Sequence, residues 1–198
     1  MSIKTETFLE NIREQHTATV QYGLDSIDQL KLQAAATMIA LAIRHDRRIY
    51  TIGNGASASI AQHWACDYTK GCSSLNSSPP VRPHVISLSA NIPLLTAIGN
   101  DVDFREIYSH QLERLADRGD LLITISSSGS SPNVIEALKT AKKMHVDTIS
   151  LTGFNGGQCR DLSDVHVNVN VHEYEATEDC HSAIMHMIAK YIRLMLWS

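Results

Sequence analysis

The chain has 198 residues, of which 43% are hydrophobic and 19% are charged, and its formal net charge is −4. This composition is typical of a globular protein with one sizeable core, and it excludes a disordered chain. The acidic balance and the absence of a basic run argue against a nucleic-acid-binding protein. We expect neither a secretion signal nor a membrane span, because no uncharged apolar run approaches the ~20 residues that a membrane helix needs.

The four cysteines, Cys66, Cys72, Cys159 and Cys180, are scattered along the chain and show no C-x-x-C spacing. Scattered cysteines of this kind are typical of thiols in a cytoplasmic protein rather than of a disulfide framework. We therefore expect a cytoplasmic protein.

Two segments near the start of the chain, 7–22 and 27–45, show apolar residues at helical spacing. The apolar surface of the second segment is broader than one stripe. It either packs within its own domain or also packs against another subunit, and the sequence leaves both open. We interpret residues 1–45 as a helical oligomerisation segment and 46–198 as the α/β core of one domain.

Short apolar runs alternate with helical patterns through the rest of the chain. Strands are predicted at 48–52, 84–88, 120–125, 148–152 and 165–171. Helices are predicted at 57–70, 93–98, 103–117, 132–144 and 178–196, with a turn at Gly99-Asn100-Asp101. Repeated strand–helix units predict one doubly wound α/β domain with a parallel sheet. Alternating valines in the last strand predict an edge strand with one exposed face.

The first motif is Gly53-Asn54-Gly55-Ala56-Ser57, which joins a predicted strand to a predicted helix. Its glycines permit a tight reversal, and Ser57 falls in the first helical turn, where unpaired N–H groups attract anions. Asn54 either contacts a sugar or holds the turn. Such turns are common in α/β proteins, so this motif alone indicates a phosphate site only weakly.

The second motif is the serine run 126–131, which ends one strand and begins a helix. Ligands of open α/β sheets bind at this carboxyl edge. The hydroxyls of Ser126, Ser128 and Ser131, with N–H groups around Gly129, are able to surround a phosphate without any lysine or arginine. We include the neighbouring Ser127 among the candidate binding residues. The alternative is a loop that caps its helix through Ser130 or Ser131.

His63 and Asp67 are four residues apart on the helix that follows the first motif. This spacing puts both side chains on one helix face, where they are able to act as a catalytic or metal-binding pair. Two plainer alternatives remain at this point. For His63, the alternative is a partly buried histidine with a satisfied hydrogen bond. For Asp67, it is a solvated residue that pairs with Lys70.

Together the motifs G-N-G-x-S and I-S-x-S-G-x-S, about 70 residues apart, resemble the sugar isomerase (SIS) domain. The chain resembles the phosphoheptose isomerases more narrowly, over essentially residues 25–195. Further shared features are His63, the segment 96–101, Gly119-Asp120, Leu151-Thr152-Gly153, Asn155-Gly156-Gly157, and a terminal helix with His181 and His186.

This resemblance implies a flavodoxin-like fold and a homotetramer with active sites between subunits. It implies isomerisation of sedoheptulose 7-phosphate to a mannoheptose 7-phosphate that feeds lipopolysaccharide or capsule synthesis. It places the catalytic carboxylate at Asp67 and the catalytic histidine at His186. It also implies one zinc ion held by His63, Asp67, Glu178 and His186.

The resemblance extends to the sugar-binding residues. Implied substrate contacts are Asn54, Gly55, Ser57, Asp101, Glu178 and the serines Ser126, Ser127, Ser128 and Ser131. Asp101 orders the site, binds a sugar hydroxyl or is a plain turn residue. We rank His181 below His186 as a catalytic residue.

Two residues depart from the usual pattern of the family. Asp67 replaces a glutamate and Glu178 replaces a glutamine, which leaves the exact sugar open more than the class of reaction. Two imidazoles and two carboxylates are still a reasonable zinc environment. Glu178 and His186 would be ~12 Å apart along a regular helix. Both reach one ion only if residue 178 precedes the helix or one of the two comes from a neighbouring subunit.

Three other functions compete with the heptose isomerase. The first alternative is a non-catalytic adaptor that binds the bacterial replication initiator. The second is a phosphosugar-sensing domain, and the third is an isomerase of a different sugar phosphate. Such adaptors tend to lack the acid and histidine found here at Asp67 and His186. Sensing domains usually accompany a DNA-binding segment, which we do not expect here.

Overall fold

The computed structural model describes residues 2–74 and 80–197. Its centre is a parallel sheet of five strands: β1 (Arg48–Gly53), β2 (His84–Ser87), β3 (Leu121–Ser126), β4 (Asp147–Thr152) and β5 (Val165–Asn168). The strand order is β2-β1-β3-β4-β5, with every pair parallel. The doubly wound α/β fold is therefore confirmed, and β5 is an edge strand as predicted.

Helices cover both faces of the sheet. They are α1 (Ser2–Asp25), α2 (Gln29–Arg44), α3 (Ala56–Gly71), α4 (Ile92–Asp101), α5 (Ser109–Leu115), α6 (Pro132–Met144), α7 (Cys159–Leu162) and α8 (Tyr174–Trp197). One core lies between the sheet and α2, α3 and α8, and includes Ile39, Trp64 and Ile184. The other core lies under α5 and α6 and includes Leu112 and Leu138. The three central strands, β1, β3 and β4, are buried on both sides, which explains their nearly continuous apolar runs in the sequence.

Several predicted boundaries were wrong. The segment 99–101 is the end of α4 and not a turn, because the helix continues until Val102 N bonds to Ile98 O at 2.9 Å. The predicted helix at 103–117 is divided into a 3-10 helix, Phe104–Glu106, and α5. The side chain of Asp103 accepts a hydrogen bond from Arg105 N and begins the 3-10 helix.

The last strand and the last helix also differ from their predicted ranges. β5 ends at Asn168, because the Val171 N–H turns back to Val169 O at 2.7 Å. The predicted exposed face was wrong: His166 and Asn168 are half-buried, and Thr152 Oγ1 bonds to both of them. α8 begins at Tyr174, four residues before the predicted start at 178.

Both N-terminal helices bury part of their apolar surface in the domain and leave part of it exposed, on α2 at Leu30 and Leu41. α2 buries Ala35, Ile39 and Ile43 within its own domain. α1 packs on α8 but leaves Phe8 and Leu9 66% and 67% exposed. No helix in the described part of the chain combines the length and apolar character needed to span a membrane.

Candidate active site

The two sequence motifs meet at one edge of the sheet. β1 and β3 are neighbours with Gly53 opposite Ile125, so the turn after β1 and the serine run after β3 lie side by side. A cavity of about 160 Å³ lies between them. It is lined by Asn54, Ser57, Ile125, Ser126, Ser127, Ser128, Ser131, Tyr174 and Glu178. The structure thus brings most of the predicted substrate-binding residues together.

Neither helix that begins at this cavity is capped by the side chain of the residue before it. In α6, Pro132 has no N–H and Val134 N bonds to Asn133 Oδ1 at 3.0 Å, so the donor at the start of the helix is Asn133 N. The residue before α3 is Gly55, at φ 55°, and the residue before α6 is Ser131, whose hydroxyl does not cap the helix. The capping alternative for Ser131 was therefore wrong. The buried hydroxyl of Ser127 likewise has no hydrogen-bond partner among the described residues. The N–H groups at these helix starts and the Ser127 hydroxyl are neutral donors of the kind that bind anions in proteins.

The serine loop is held from behind by a second glycine turn. Gly129 has φ 63°, and a Cβ atom there would overlap the carbonyl of Gly156. The loop is also tied by Gly153 N to Ser127 O at 2.8 Å and by Cys159 N to Gly129 O at 3.0 Å. The conformation of the anion-binding loop therefore depends on a backbone contact that only glycine allows.

Glu178 is the one charged side chain among the described residues that line this cavity. Burial raises its pKa, and the neighbouring carboxylates of Glu175 and Asp179 raise it further. A carboxylate beside a phosphate is unfavourable when both are ionised. Burial and the two neighbouring carboxylates thus make the ionised form of this side chain less favourable than it is in water.

A second cluster joins α3 to α8. His63 Nε2 lies 3.3 Å from Asp67 Oδ1, and His186 Nε2 lies 3.6 Å from Asp67 Oδ2. The two imidazole rings meet edge to face with their centres 5.1 Å apart. One ligand atom from each of the three residues lies within 4.8 Å of the others, close enough to hold one metal ion. Asp67 therefore pairs with two histidines and not with Lys70.

These three residues fit zinc in their chemistry. Two neutral imidazoles and one carboxylate are usual ligands of catalytic zinc sites, which keep one position open. The side chains of His63 and His186 are 50% and 53% exposed, so the cluster is accessible from outside.

Glu178 does not join this cluster in one chain. It lies in α8 together with His186, so the alternative in which residue 178 precedes the helix was wrong. Its side chain lines the serine cavity instead. Among the described residues, one chain brings together three of the four expected zinc ligands.

Another cavity, of about 520 Å³, opens on the other side of the Gly53–Gly55 turn. Its lining includes Asn54, Gly55, Thr96, Asn100 and Tyr108. Asp101 is not among the described residues that line it. That side chain is exposed at the end of α4 and accepts a hydrogen bond from Asn100 Nδ2 at 2.7 Å.

Sequence reasoning missed Ser89 and Tyr108, which both support the glycine turn. The Tyr108 hydroxyl donates to Gly53 O, and Ser89 Oγ donates to the same carbonyl at 3.2 Å. Burial raises the pKa of Tyr108, so its hydroxyl stays protonated as a donor. Nothing in the local sequence distinguishes Tyr108 from an ordinary core residue.

His181 was ranked below His186, and the structure places it away from the cluster. The ring is fully buried, and neither nitrogen has a hydrogen-bond partner of good geometry within the described chain. Burial lowers the pKa of His181 to about 4, so the ring is neutral at pH 7.

The doubly wound sheet, with a serine-lined cavity at its carboxyl edge, places the chain in the class of SIS-domain proteins, as the following comparison shows. The model of the SIS domain family matches residues 12–153 of this chain. The phosphoheptose isomerase of Campylobacter concisus is 35% identical over 187 residues, covering 94% of this chain and 96% of that protein. The enzyme of the same name from Chlorobaculum parvum is 40% identical over 167 residues, covering 83% and 78%.

A solved structure agrees with these relatives. The phosphoheptose isomerase of Neisseria gonorrhoeae has a TM-score of 0.83 and 29% sequence identity, covering 93% of this chain and 98% of that one. The chain belongs to the phosphoheptose isomerase family of SIS-domain proteins.

Proposed function

We propose that this protein is an aldose–ketose isomerase that converts sedoheptulose 7-phosphate to D-glycero-D-manno-heptose 7-phosphate. The observation that carries the proposal is the arrangement of α3. This helix begins at the anion-binding cavity with Ser57 and carries His63 and Asp67 further along. Six residues of helix span ~9 Å, a separation suited to a sugar whose phosphate and reacting carbonyl are several carbons apart.

The phosphate end of the substrate binds at the serine loop. Hydroxyls of Ser126, Ser128 and Ser131 and the N–H groups at the starts of α3 and α6 donate to its oxygens. Neutral donors give moderate affinity, which suits an enzyme that must release a phosphorylated product.

The chemical step moves a proton between two neighbouring carbons. A base takes a proton from C1 of the ketose, an enediolate forms, and a proton returns to C2. The hydroxyl proton of C1 moves to the C2 oxygen, so that C2 now carries a hydroxyl and C1 becomes the aldehyde. Asp67 and His186 supply the carboxylate and the imidazole for these transfers. Their closest atoms are 3.6 Å apart, so both lie near the same pair of carbons.

We further propose that His63, Asp67 and His186 hold a zinc ion, with Glu178 of a neighbouring subunit as a fourth ligand. Zinc at this position would polarise the sugar oxygens and stabilise the charge of the enediolate. A homotetramer with sites between subunits would supply that glutamate. The exposed apolar residues of α1 support such an assembly, since side chains of this kind often mark subunit contacts.

The product would serve as a precursor of activated heptose for lipopolysaccharide or capsule, and we place the reaction in the cytoplasm. Cys66, Cys159 and Cys180 are free thiols, which suits a reducing compartment.

An isomerase of a different sugar phosphate is the second candidate. It is favoured by Asp67 and Glu178, the two positions at which this chain differs from the usual family pattern. Neither the family relatives nor the site geometry supports the non-catalytic adaptor.

The experiment is to incubate purified protein with sedoheptulose 7-phosphate and, separately, with five-carbon and six-carbon ketose phosphates. Products are identified by NMR. Formation of an aldoheptose 7-phosphate supports the proposal. Turnover of a shorter ketose alone would support the second candidate, and phosphosugar binding without turnover of any ketose would contradict both.

A further inference from the structure

The two anion-binding loops are joined by a pair of asparagines. Asn54, in the turn after β1, donates from Nδ2 to Asn133 Oδ1 at 2.9 Å. Asn133, in the first turn of α6, donates from Nδ2 to Asn54 Oδ1, also at 2.9 Å. The two amides therefore bind each other reciprocally and link the start of one helix to the start of the other.

Both members of this pair are further constrained. Asn133 is fully buried, and its Oδ1 also accepts a hydrogen bond from Val134 N at 3.0 Å. Tyr108, which donates to Gly53 O, also has its hydroxyl 3.3 Å from Asn54 Oδ1. The carbonyl oxygen and one amide hydrogen of Asn54 are thus already used within the protein.

This arrangement changes the role of Asn54. The sequence left open whether this residue contacts the sugar or holds the turn, and the hydrogen bonds favour holding the turn. A reciprocal amide pair suits this task because it carries no charge that would repel or trap a phosphate. Each amide also donates one N–H to the carbonyl oxygen of the other, so that these polar groups have hydrogen-bond partners away from solvent.

We propose that Asn54 and Asn133 form a positioning pair that fixes the distance between the two loops, so that both bind the same phosphate. The side chain of Asn133 then controls phosphate binding without touching the substrate. This inference rests on the proposed function, since it takes a phosphate monoester as the ligand. Loss of the pair leaves both loops intact but lets them move apart.

The test compares Asn133→Ala with wild-type protein in two measurements, binding of inorganic phosphate by calorimetry and steady-state turnover of the phosphosugar. We expect about a ten-fold weaker affinity for phosphate and a similar rise in KM, because two neutral hydrogen bonds are lost. We expect kcat to change by less than about two-fold, since the reacting end of the sugar is untouched. The matched control is Thr140→Ala, which truncates a buried polar side chain further along α6 and leaves both measurements unchanged.

A double-mutant cycle separates positioning from direct contact. If the pair acts as a unit, Asn54→Ala weakens phosphate binding as much as Asn133→Ala, and the double variant is no weaker than either one. Additive losses would overturn the proposal, because they would show that Asn54 binds the ligand independently. Wild-type affinity in Asn133→Ala would also overturn it.

Two further outcomes are distinguishable. If Asn133→Ala does not fold, Asn133→Ser is measured instead, because its shorter side chain keeps a polar group but does not reach Asn54. If the wild-type protein binds neither inorganic phosphate nor a phosphosugar, the proposed function and this inference fail together. If wild-type protein binds and converts the phosphosugar while both Asn133 variants match it, only the positioning pair is overturned.

Discussion

His186 on the last helix lies 3.6 Å from Asp67 on α3, measured from Nε2 to Oδ2. The two residues are far apart in the sequence and meet because α3 and α8 pack on the same face of the sheet. This contact brings a carboxylate and an imidazole together at an exposed position, and the proposed catalysis depends on it.

Replacing His186 with alanine tests that dependence. We expect a loss of about 10²–10⁴-fold in kcat, the usual contribution of a positioned acid–base group. Binding of the phosphosugar should remain largely intact, because the imidazole of His186 does not line the serine cavity. The control is His84→Ala, which removes an exposed histidine paired with Asp46 at the opposite end of the sheet. Normal turnover by His186→Ala would contradict the role we give this residue.

Asp67→Asn addresses the metal site without changing the size of the side chain. The amide lacks the negative charge that bridges both histidines. We expect zinc affinity to fall by at least about ten-fold, measured by competition with a chromophoric chelator. Unchanged zinc affinity would show that the His63–Asp67–His186 cluster does not hold the ion.

Gly129→Ala should distort the anion-binding loop. Gly129 has φ 63°, and a methyl group there overlaps the backbone of Gly156. We expect a loss of about 2 kcal/mol or more in the free energy of unfolding, with weaker phosphate binding. Gly55→Ala is the comparison, since it has φ 55° but open space around its Cβ position. Its ψ of −126° lies outside the left-handed helical region, so this variant should lose about 1–3 kcal/mol through backbone strain alone, and less than Gly129→Ala, which adds the overlap. Equal losses in the two variants would rule out the backbone contact as the cause.

His181 should make the fold sensitive to acid. Its pKa is about 4 in the folded protein, below its ordinary value of 6.5, because the ring is fully buried. Between these two values the unfolded chain binds a proton that the folded chain does not, so the stability falls as the pH drops from about 6.5 to about 4. The full effect of this one group is on the order of 3 kcal/mol.

The measurement is the free energy of urea unfolding as a function of pH for wild-type protein and His181→Gln. The variant has no ring to titrate, so its stability should depend less on pH within this window. Parallel curves for the two proteins would show that His181 does not contribute to the acid sensitivity.

The sequence was sufficient to predict the sheet, because buried parallel strands leave continuous apolar runs such as Leu121–Ile125. It also predicted that the glycines and serines that follow two strands and begin two helices would meet at one edge of the sheet, and they line one cavity there. The clustering of His63 with Asp67 followed from helical spacing alone.

Other features depend on contacts between distant segments, which local patterns do not encode. Asn133 looks like an ordinary helix residue until Asn54 is placed opposite it. The position of Glu178 relative to His186 depends on where α8 begins. Because α8 begins at Tyr174, both residues lie in the same helix, eight residues apart, and their side chains do not meet within one chain. Asp101 was assigned to a turn because Gly99 precedes it, but the helix tolerates that glycine.

The most direct test of the proposed reaction is turnover of sedoheptulose 7-phosphate in D₂O, with NMR used to identify the product and its deuterium. We expect an aldoheptose 7-phosphate that carries solvent deuterium at C2, because a protein acid returns the proton to that carbon. The contradicting result is a protein that binds sedoheptulose 7-phosphate but forms no aldose.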